Sequence, residues 1–289
     1  MADLDGDGRS DILSGSWPGE IWWFRRKTDR SFAKGEKLLH ADGKPINLGH
    51  GSSAFATDWD GDGRMDLIVG TMTGAVFFVP GVEGKEGPRF GKPVLLLAAG
   101  KPIRVKGDAA PVVADWDGDG KPDLIVGAED GSVVWYRNVG TKREPVLVAP
   151  KTLVGESLLD QRYGDRRNAV CGQRVKPSVV DWDGSGRLSL LVGDYGDSFE
   201  GKPAVTKGEK AEEVAAVSVL PALRREWADT FRAYRDEKRA DRAELRERLT
   251  RLRDEIDRAQ VVQDEYRSQR QTHGHVWLFR RKPAKGTSK

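Results

Sequence analysis

Asp58, Asp60, Asp62 and Asp66 crowd four carboxylates into the nine residues that open the stretch DWDGDGRMDLIVG. Carboxylates this close repel one another, and a folded chain tolerates them when something neutralises the charge. Oxygen donors at alternate positions, with no His or Cys among them, suit a hard cation that takes six to eight oxygen ligands. Gly63 at position 6 permits a sharp bend, and the main-chain carbonyl of Arg64 at position 7 offers a further oxygen. The string returns at Asp115, Asp117, Asp119 and Asp123, with Lys121 at position 7, and at Asp3, Asp5, Asp7 and Asp11, with Arg9 there. A fourth version keeps Asp181 and Asp183 but has Ser185 and Ser189 in place of the other two carboxylates, so it should bind weakly or not at all. Position 12, where a helix-loop-helix calcium site needs glutamate, holds Ser14, Val69, Val126 and Val192, which excludes a sensor of that type. The alternative to metal loops is a set of plain Asp-Gly turns. For a Kd near about 10⁻⁴ M and calcium near about 10⁻³ M, each complete loop adds about 1.4 kcal/mol. Three loops then add about 4 kcal/mol, comparable with the whole stability of a marginal domain, so the ion reads as a staple and not as a signal.

Elements of fixed period must position these loops. Their first aspartates, at 3, 58, 115 and 181, are separated by 55, 57 and 66 residues. Each loop is followed by an apolar run (DILSG, DLIVG, DLIVG, SLLVG), a short turn and a second, aromatic run such as GEIWWFRR, GAVFFVPG or GSVVWYRN. The runs are rich in Val, Ile, Leu, Phe and Trp and too short for ordinary helices, so they read as strands. With PVVAD before a loop as strand A, the run after it as strand B, the aromatic run as strand C and a segment such as FGKPVLLLA as strand D, each unit has four strands. Repeats of this length and content indicate propeller blades. The fold expected is an all-β propeller with about four visible blades, the first and last incomplete. Near the C-terminus GHVWLFRRK matches GEIWWFRRK, so strand C of the last blade is displaced by an insertion. Residues 1–198 are then propeller, 199–272 insertion, and 273–289 the returning strand and a basic tail.

The pattern D-x-D-G-D-G-x-x-D followed by an apolar strand resembles the FG-GAP, or VCBS, repeat family of integrin alpha chains and many secreted bacterial proteins. The resemblance covers nearly the whole chain outside the insertion. It implies that the loop joins strands A and B on the lower face of a propeller and binds Ca²⁺. Carried over, one site would use Asp3, Asp5, Asp7, the Arg9 carbonyl and Asp11. A second would use Asp58, Asp60, Asp62, the Arg64 carbonyl and Asp66, and a third Asp115, Asp117, Asp119, the Lys121 carbonyl and Asp123. The fourth keeps only Asp181, Asp183 and Ser185 of such a set. The resemblance further implies that the opposite face, where the B–C turns lie, recognises partners. Trp17, Met72, Glu129 and Tyr195 hold equivalent places in those turns and are the candidate ligand-binding residues, for a protein or a carbohydrate, unless Trp17 and Met72 merely cover neighbouring blades.

Within the insertion, the stretch from Glu212 to Arg270 contains Pro221 as its only Pro or Gly and is rich in Ala, Leu, Glu and Arg, which are helix formers. Leu223, Trp227, Phe231 and Tyr234 form one apolar stripe, and Leu245, Leu249, Leu252 and Ile256 a second. Asp241 followed by Glu244 has capping-box spacing. The expectation is an α-helical hairpin in the last blade, either a self-packing arm or a partner-binding or self-associating coiled coil. Acids and bases interleave along it, which argues against nucleic acid.

Net charge is +3 over 289 residues, so a general polyanion-binding role is not indicated, and no stretch is long and apolar enough to span a membrane. Cys171 is the sole cysteine and reads as a buried strand-edge residue. His273 and His275 lack a third zinc ligand within reach, and His40 and His50 do not align with them. No nucleophile motif is present, so a non-catalytic binding or scaffolding role is expected, with an accessory or catalytic part of a secreted polysaccharide-acting enzyme as the alternative. Strand A of the first blade and strand D of the last are missing. The choices are a fragment, a displaced start codon or an arc closed by another chain, of which the first two are favoured. Export to the periplasm, cell surface or exterior is expected because cytosolic calcium is too low for such sites, with any signal peptide lost from the truncated start.

Overall fold

Residues 1–84, 87–156, 172–199, 207–236, 242–268 and 270–280 are described in the computed structural model. The repeated runs form the strands their composition requires. The first repeat gives a three-stranded antiparallel sheet, β1 (Ile12–Gly15), β2 (Ile21–Phe24) and β3 (Glu36–Lys37). After β4 (Leu39–His40) comes the second sheet, built from β5 (Ser53–Thr57), β6 (Asp66–Gly70) and β7 (Val76–Val79). Strands β8 (Gly81–Val82) and β9 (Arg89–Phe90) join β4 in a small sheet, and β10 (Val94–Leu95) completes the second one in the order β10-β7-β6-β5. A ribbon of β11 (Leu97–Ala98) and β12 (Lys101–Pro102) leads to the third sheet, β13 (Ala110–Ala114), β14 (Asp123–Gly127), β15 (Val133–Tyr136) and β16 (Lys151–Val154), paired in chain order. The fourth sheet pairs β17 (Gln173–Val180) with the long β18 (Ser189–Phe199). The segment FGKPVLLLA, expected as one strand D, divides. Pro93 has no N–H to donate, so pairing with β7 starts only at Val94.

Side-chain alternation explains how the sheets hold together. All five residues of β6 and of β14 are buried, each strand lying between two cores. Leu67 and Val69 point into a core shared with Ile21, Trp23 and Leu38 of the first repeat. Ile68, between them, points the other way, into a core with Leu124, Val126 and Tyr136 of the third. Ile125 in turn faces a core with Val175, Leu190 and Val192 of the fourth. The period of two thus stacks the four sheets in chain order. Close approach is needed at the ends of the second strands. A Cβ on Gly70 would lie 2.1 Å from the Ala109 carbonyl oxygen, and one on Gly127 2.4 Å from that of Val175.

The sheets form one compact unit that is left at Gly196 and re-entered at Gly274, and the helices belong to a second unit within Asp197–His273. Helices α1 (Lys207–Asp236) and α2 (Arg242–Ser268) are followed by β19 (Arg270–His273) and β20 (Val276–Phe279), both paired with β18. The helices cross-link in antiparallel sense through Arg248 to Glu226 (2.6 Å) and Arg224 to Gln260 (2.7 Å). Among the residues of this pair whose burial is described, Leu220, Thr230, Leu252 and Ala259 are buried. Trp227 stacks on Phe231, centroids 5.2 Å apart, but Phe231 is itself exposed and not part of the seam its spacing suggested. Pro221 sits inside α1. Asp241, Cys171 and the basic tail beyond Arg280 lie outside the described residues.

Candidate metal centre

Each acidic loop is assembled by its own side chains before any ligand is considered. Position 1 folds back on the loop's amides: Asp3 accepts the N–H of Asp7 (3.1 Å) and of Gly8 (2.8 Å), and Asp115 those of Gly118, Asp119 and Gly120 (2.8, 2.9 and 2.9 Å). Asp58 accepts Gly63 N–H at 3.3 Å and Asp181 accepts Gly186 N–H at 2.8 Å, so the fourth loop keeps this feature. The glycine at position 6 takes φ of 83°, 89°, 84° and 78° in the four loops, a left-handed geometry that costs other residues about 1 kcal/mol or more.

Position 9 does something different. Asp11, Asp66 and Asp123 are fully buried. One oxygen of each accepts a loop amide, from Leu4 (3.2 Å), Trp59 (2.8 Å) and Trp116 (3.2 Å). The other accepts an amide just past the third strand, from Arg26 (2.8 Å), Gly81 (2.7 Å) and Asn138 (2.7 Å). Asp11 takes a third donor, the Trp23 indole N–H, at 2.8 Å. These aspartates therefore tie each loop to the end of its strand C, a role that spacing alone did not reveal. Ser189 replaces them in the fourth loop. Position 7 adds a second tie, since the Arg9 and Arg64 guanidinium Nε atoms donate to the Arg26 and Gly81 carbonyls, both at 3.1 Å. Arg9 and Arg64 also pair with Asp7 and Asp62, and Lys121 with Asp119 at 3.0 Å.

Carboxylate oxygens converge within 4.8 Å of one another in three groups: Asp3, Asp5 and Asp11; Asp58, Asp60 and Asp62; Asp115, Asp117 and Asp123. Burial pushes the Asp66 carboxyl up to about 6, with Asp60 adding to the effect. Burial also raises Asp5 and Asp123, helped by the charges of Asp7 and Asp11 and of Asp117 respectively. Asp58 Oδ1 and Asp117 Oδ1 are buried with no hydrogen-bond partner. A buried oxygen left unpaired costs about 1–3 kcal/mol, and more when charged. Converging, raised and orphaned carboxylate oxygens are what a cation-binding loop presents, so the donor set fits a hard divalent ion.

The FG-GAP-like repeat family matches residues 3–69 and 115–192, together half of the chain. The chain belongs to the FG-GAP-like repeat family. It is also similar to mouse integrin alpha-7, at 29% identity over an alignment of 178 positions that covers 56% of this chain and 14% of the integrin. Human integrin alpha-7 is 29% identical over an alignment of 193 positions that covers 62% of this chain and 15% of its own. The chain thus spans about a seventh of the length of these curated relatives.

Three of the remaining candidate residues of these FG-GAP repeats, Trp17, Met72 and Glu129, fall between second and third strands. Trp17 lies in the β1–β2 turn and is 62% exposed. His50 links it to the next repeat: its Nδ1 is 3.2 Å from the Trp17 carbonyl oxygen, and its own carbonyl accepts Met72 N–H at 3.0 Å. Glu129 lies in the β14–β15 turn, its carbonyl accepting Arg174 N–H at 2.9 Å and its carboxylate 3.9 Å from the Arg174 side chain. Tyr195 was expected in a turn but lies within β18, opposite Gln173, because the displaced strand C lets the second strand run on. His40 Nδ1 is bonded to the Gly91 carbonyl at 2.9 Å, and no group of metal-ligating side chains among the described residues includes a histidine. Beside His275, Asp194 closes the neck of the insertion. Its carboxylate accepts the amides of His275 (2.8 Å) and Gly172 (2.5 Å) and the Trp277 indole N–H (2.7 Å).

Proposed function

We propose that this chain is a calcium-stapled β-propeller segment of an exported protein. It binds a protein or carbohydrate on the face opposite the acidic loops and performs no chemistry itself. The observation that carries the reading is the threefold convergence of carboxylate oxygens with orphaned buried atoms at Asp58 and Asp117. The stacking of four sheets in chain order supports blades. The holding residues would be Asp3, Asp5, Asp7, the Arg9 carbonyl and Asp11; Asp58, Asp60, Asp62, the Arg64 carbonyl and Asp66; and Asp115, Asp117, Asp119, the Lys121 carbonyl and Asp123. When bound, the ion supplies positive charge that cancels the carboxylates' mutual repulsion. The chain's own part is to hold the loop shape through position 1 and to fasten it to strand C through position 9. Residues 1–198 and 273–289 then make up the propeller, and 199–272 the inserted hairpin. Millimolar calcium outside the cell suits such sites. Trp17, exposed and anchored through its backbone, supplies an aromatic platform on the opposite face. The test is a thermal melt in calcium, in magnesium at matched ionic strength and in chelator. A midpoint raised by calcium alone is expected, and equal midpoints would refute the staple.

A second reading makes the hairpin the functional part and the propeller its pedestal. The exposed Phe231, stacked on Trp227, favours it. Deleting residues 199–272 and measuring the oligomeric state separates the two, since only the second reading requires a change.

A further inference from the structure

The three complete loops share a ligand pattern but not an electrostatic surrounding. Strand C ends at Phe24, Val79 and Tyr136 in the first three repeats, and the next residues are Arg25, Pro80 and Arg137. Arg137 reaches over the third loop: its Nε is 2.5 Å from Asp117 Oδ2 and its Nη2 3.2 Å from Asp119 Oδ2. One guanidinium thus spans the carboxylates of positions 3 and 5. Arg25 is only partly engaged with the first loop, its Nη1 4.0 Å from Asp5 Oδ2 and its Cζ 5.5 Å from the centre of the Trp23 ring. Pro80 brings no charge to the second. Lys142 and Arg143 pass near Gly61 with their Cγ atoms, but among the described residues neither forms an ion pair with the second loop.

Resting on the cation reading above, we propose that Arg137 is a built-in counter-ion that competes with the metal, so that the loops fill in the order second, first, third. The third loop sets four carboxylates against Lys121 and Arg137, the second sets four against Arg64 alone. A divalent ion entering the third loop must share the Asp117 carboxylate, whose Oδ2 Arg137 holds while its Oδ1 is unpartnered, and must then sit beside a residual positive charge. A divalent and a monovalent charge sharing one carboxylate in near-aqueous surroundings repel enough to lower affinity by about tenfold. Arg137 is a long, half-exposed side chain that can swing away, so the competition is reversible and leaves the sheet intact.

The experiment is a titration of the full chain with calcium chloride, following the amide resonances of Gly8, Gly63 and Gly120, one per loop, with calorimetry for the overall stoichiometry. Gly63 should respond first, and Gly120 last at about tenfold higher calcium. Arg137→Gln should bring the Gly120 midpoint down about tenfold, Arg137→Lys should leave it near wild type, and Pro80→Arg should raise the Gly63 midpoint. A third loop unchanged or weakened by Arg137→Gln, or Gly63 and Gly120 titrating together, overturns the counter-ion while leaving the metal sites standing. No response at any of the three glycines overturns both.

Discussion

Asp11 and Asp5 sit in the same loop and carry the same charge, yet their replacement should differ in chelator. Asp11 accepts three N–H donors, from Leu4, Trp23 and Arg26, at 3.2, 2.8 and 2.8 Å. Asp11→Ala leaves those donors facing a small apolar group in a buried site. At about 1–3 kcal/mol for each orphaned donor, partly relieved by relaxation, the cost is about 3–5 kcal/mol. For a folding unit of this size that is a fall of about 10 °C or more in midpoint. That loss belongs to the protein itself and should appear in full in chelator, and in calcium the gain from the first loop should go as well, because Asp11 is also one of the converging carboxylates. Asp5 has no such donors to lose beyond the Asp7 amide at 3.3 Å, and burial beside Asp7, Asp11 and Asp3 already disfavours its charge. Asp5→Ala should therefore leave the chelator midpoint unchanged or slightly raised, and should remove the calcium-dependent gain at one loop, about 1.4 kcal/mol at tenfold excess over Kd. Paired thermal and urea melts of both variants, with calcium and with chelator, read the two effects. An Asp11→Ala protein as stable as wild type in chelator would refute the staple role of position 9.

The metal-free protein should also lose stability between pH 5 and pH 7. The Asp66 carboxyl is raised to about 6 in the fold, so its stabilising contribution is complete below about 3.8 and is lost as pH rises through 6. From Asp66 alone the loss over that interval is about 1 kcal/mol, and Asp5 and Asp123 shift in the same direction. Asp119 and Asp183 are lowered by their basic and hydroxyl partners and act only at more acid pH. Saturating calcium should reverse the slope, because protons then compete with the ion; urea midpoints at three pH values check both arms. At the neck of the insertion, Asp194→Ala removes the acceptor of three N–H groups from a carboxylate that is 1% exposed. Amide exchange over Val276–Phe279 should rise at least tenfold, with Val76–Val79 of the second sheet unaffected.

Much of this architecture is legible in the sequence because it is repetitive. DLIVG read twice, each time between an acidic loop and a short turn, gives the strand, and the period gives the stacking. The match between GEIWWFRRK and GHVWLFRRK locates the displaced strand across the insertion, and β20 does pair with β18. The function of position 9 was not legible, because spacing assigns an aspartate there to the metal, whereas its partners lie fifteen residues on at the end of another strand. A faint signal existed in the tryptophan that follows Asp11 and Asp123 twelve residues later. Phe231 was misplaced for a related reason. Its spacing from Trp227 fits a helical stripe, but a two-helix seam is narrower than the stripe, and Thr230 takes the buried place.

Three separable tasks are divided among the positions of one loop. Position 1 and the glycines set the shape, positions 3 and 5 supply charge that basic side chains offset to a different degree in each loop, and position 9 ties the loop to strand C. The fourth loop isolates the first task. It keeps Asp181 bonded to the Ser185 and Gly186 amides at 3.1 and 2.8 Å, although Ser185 and Ser189 stand where the complete loops have carboxylates. The contact of position 1 with the loop amides thus persists with two of the four carboxylates replaced, so loop shape and loop charge are separable in this fold.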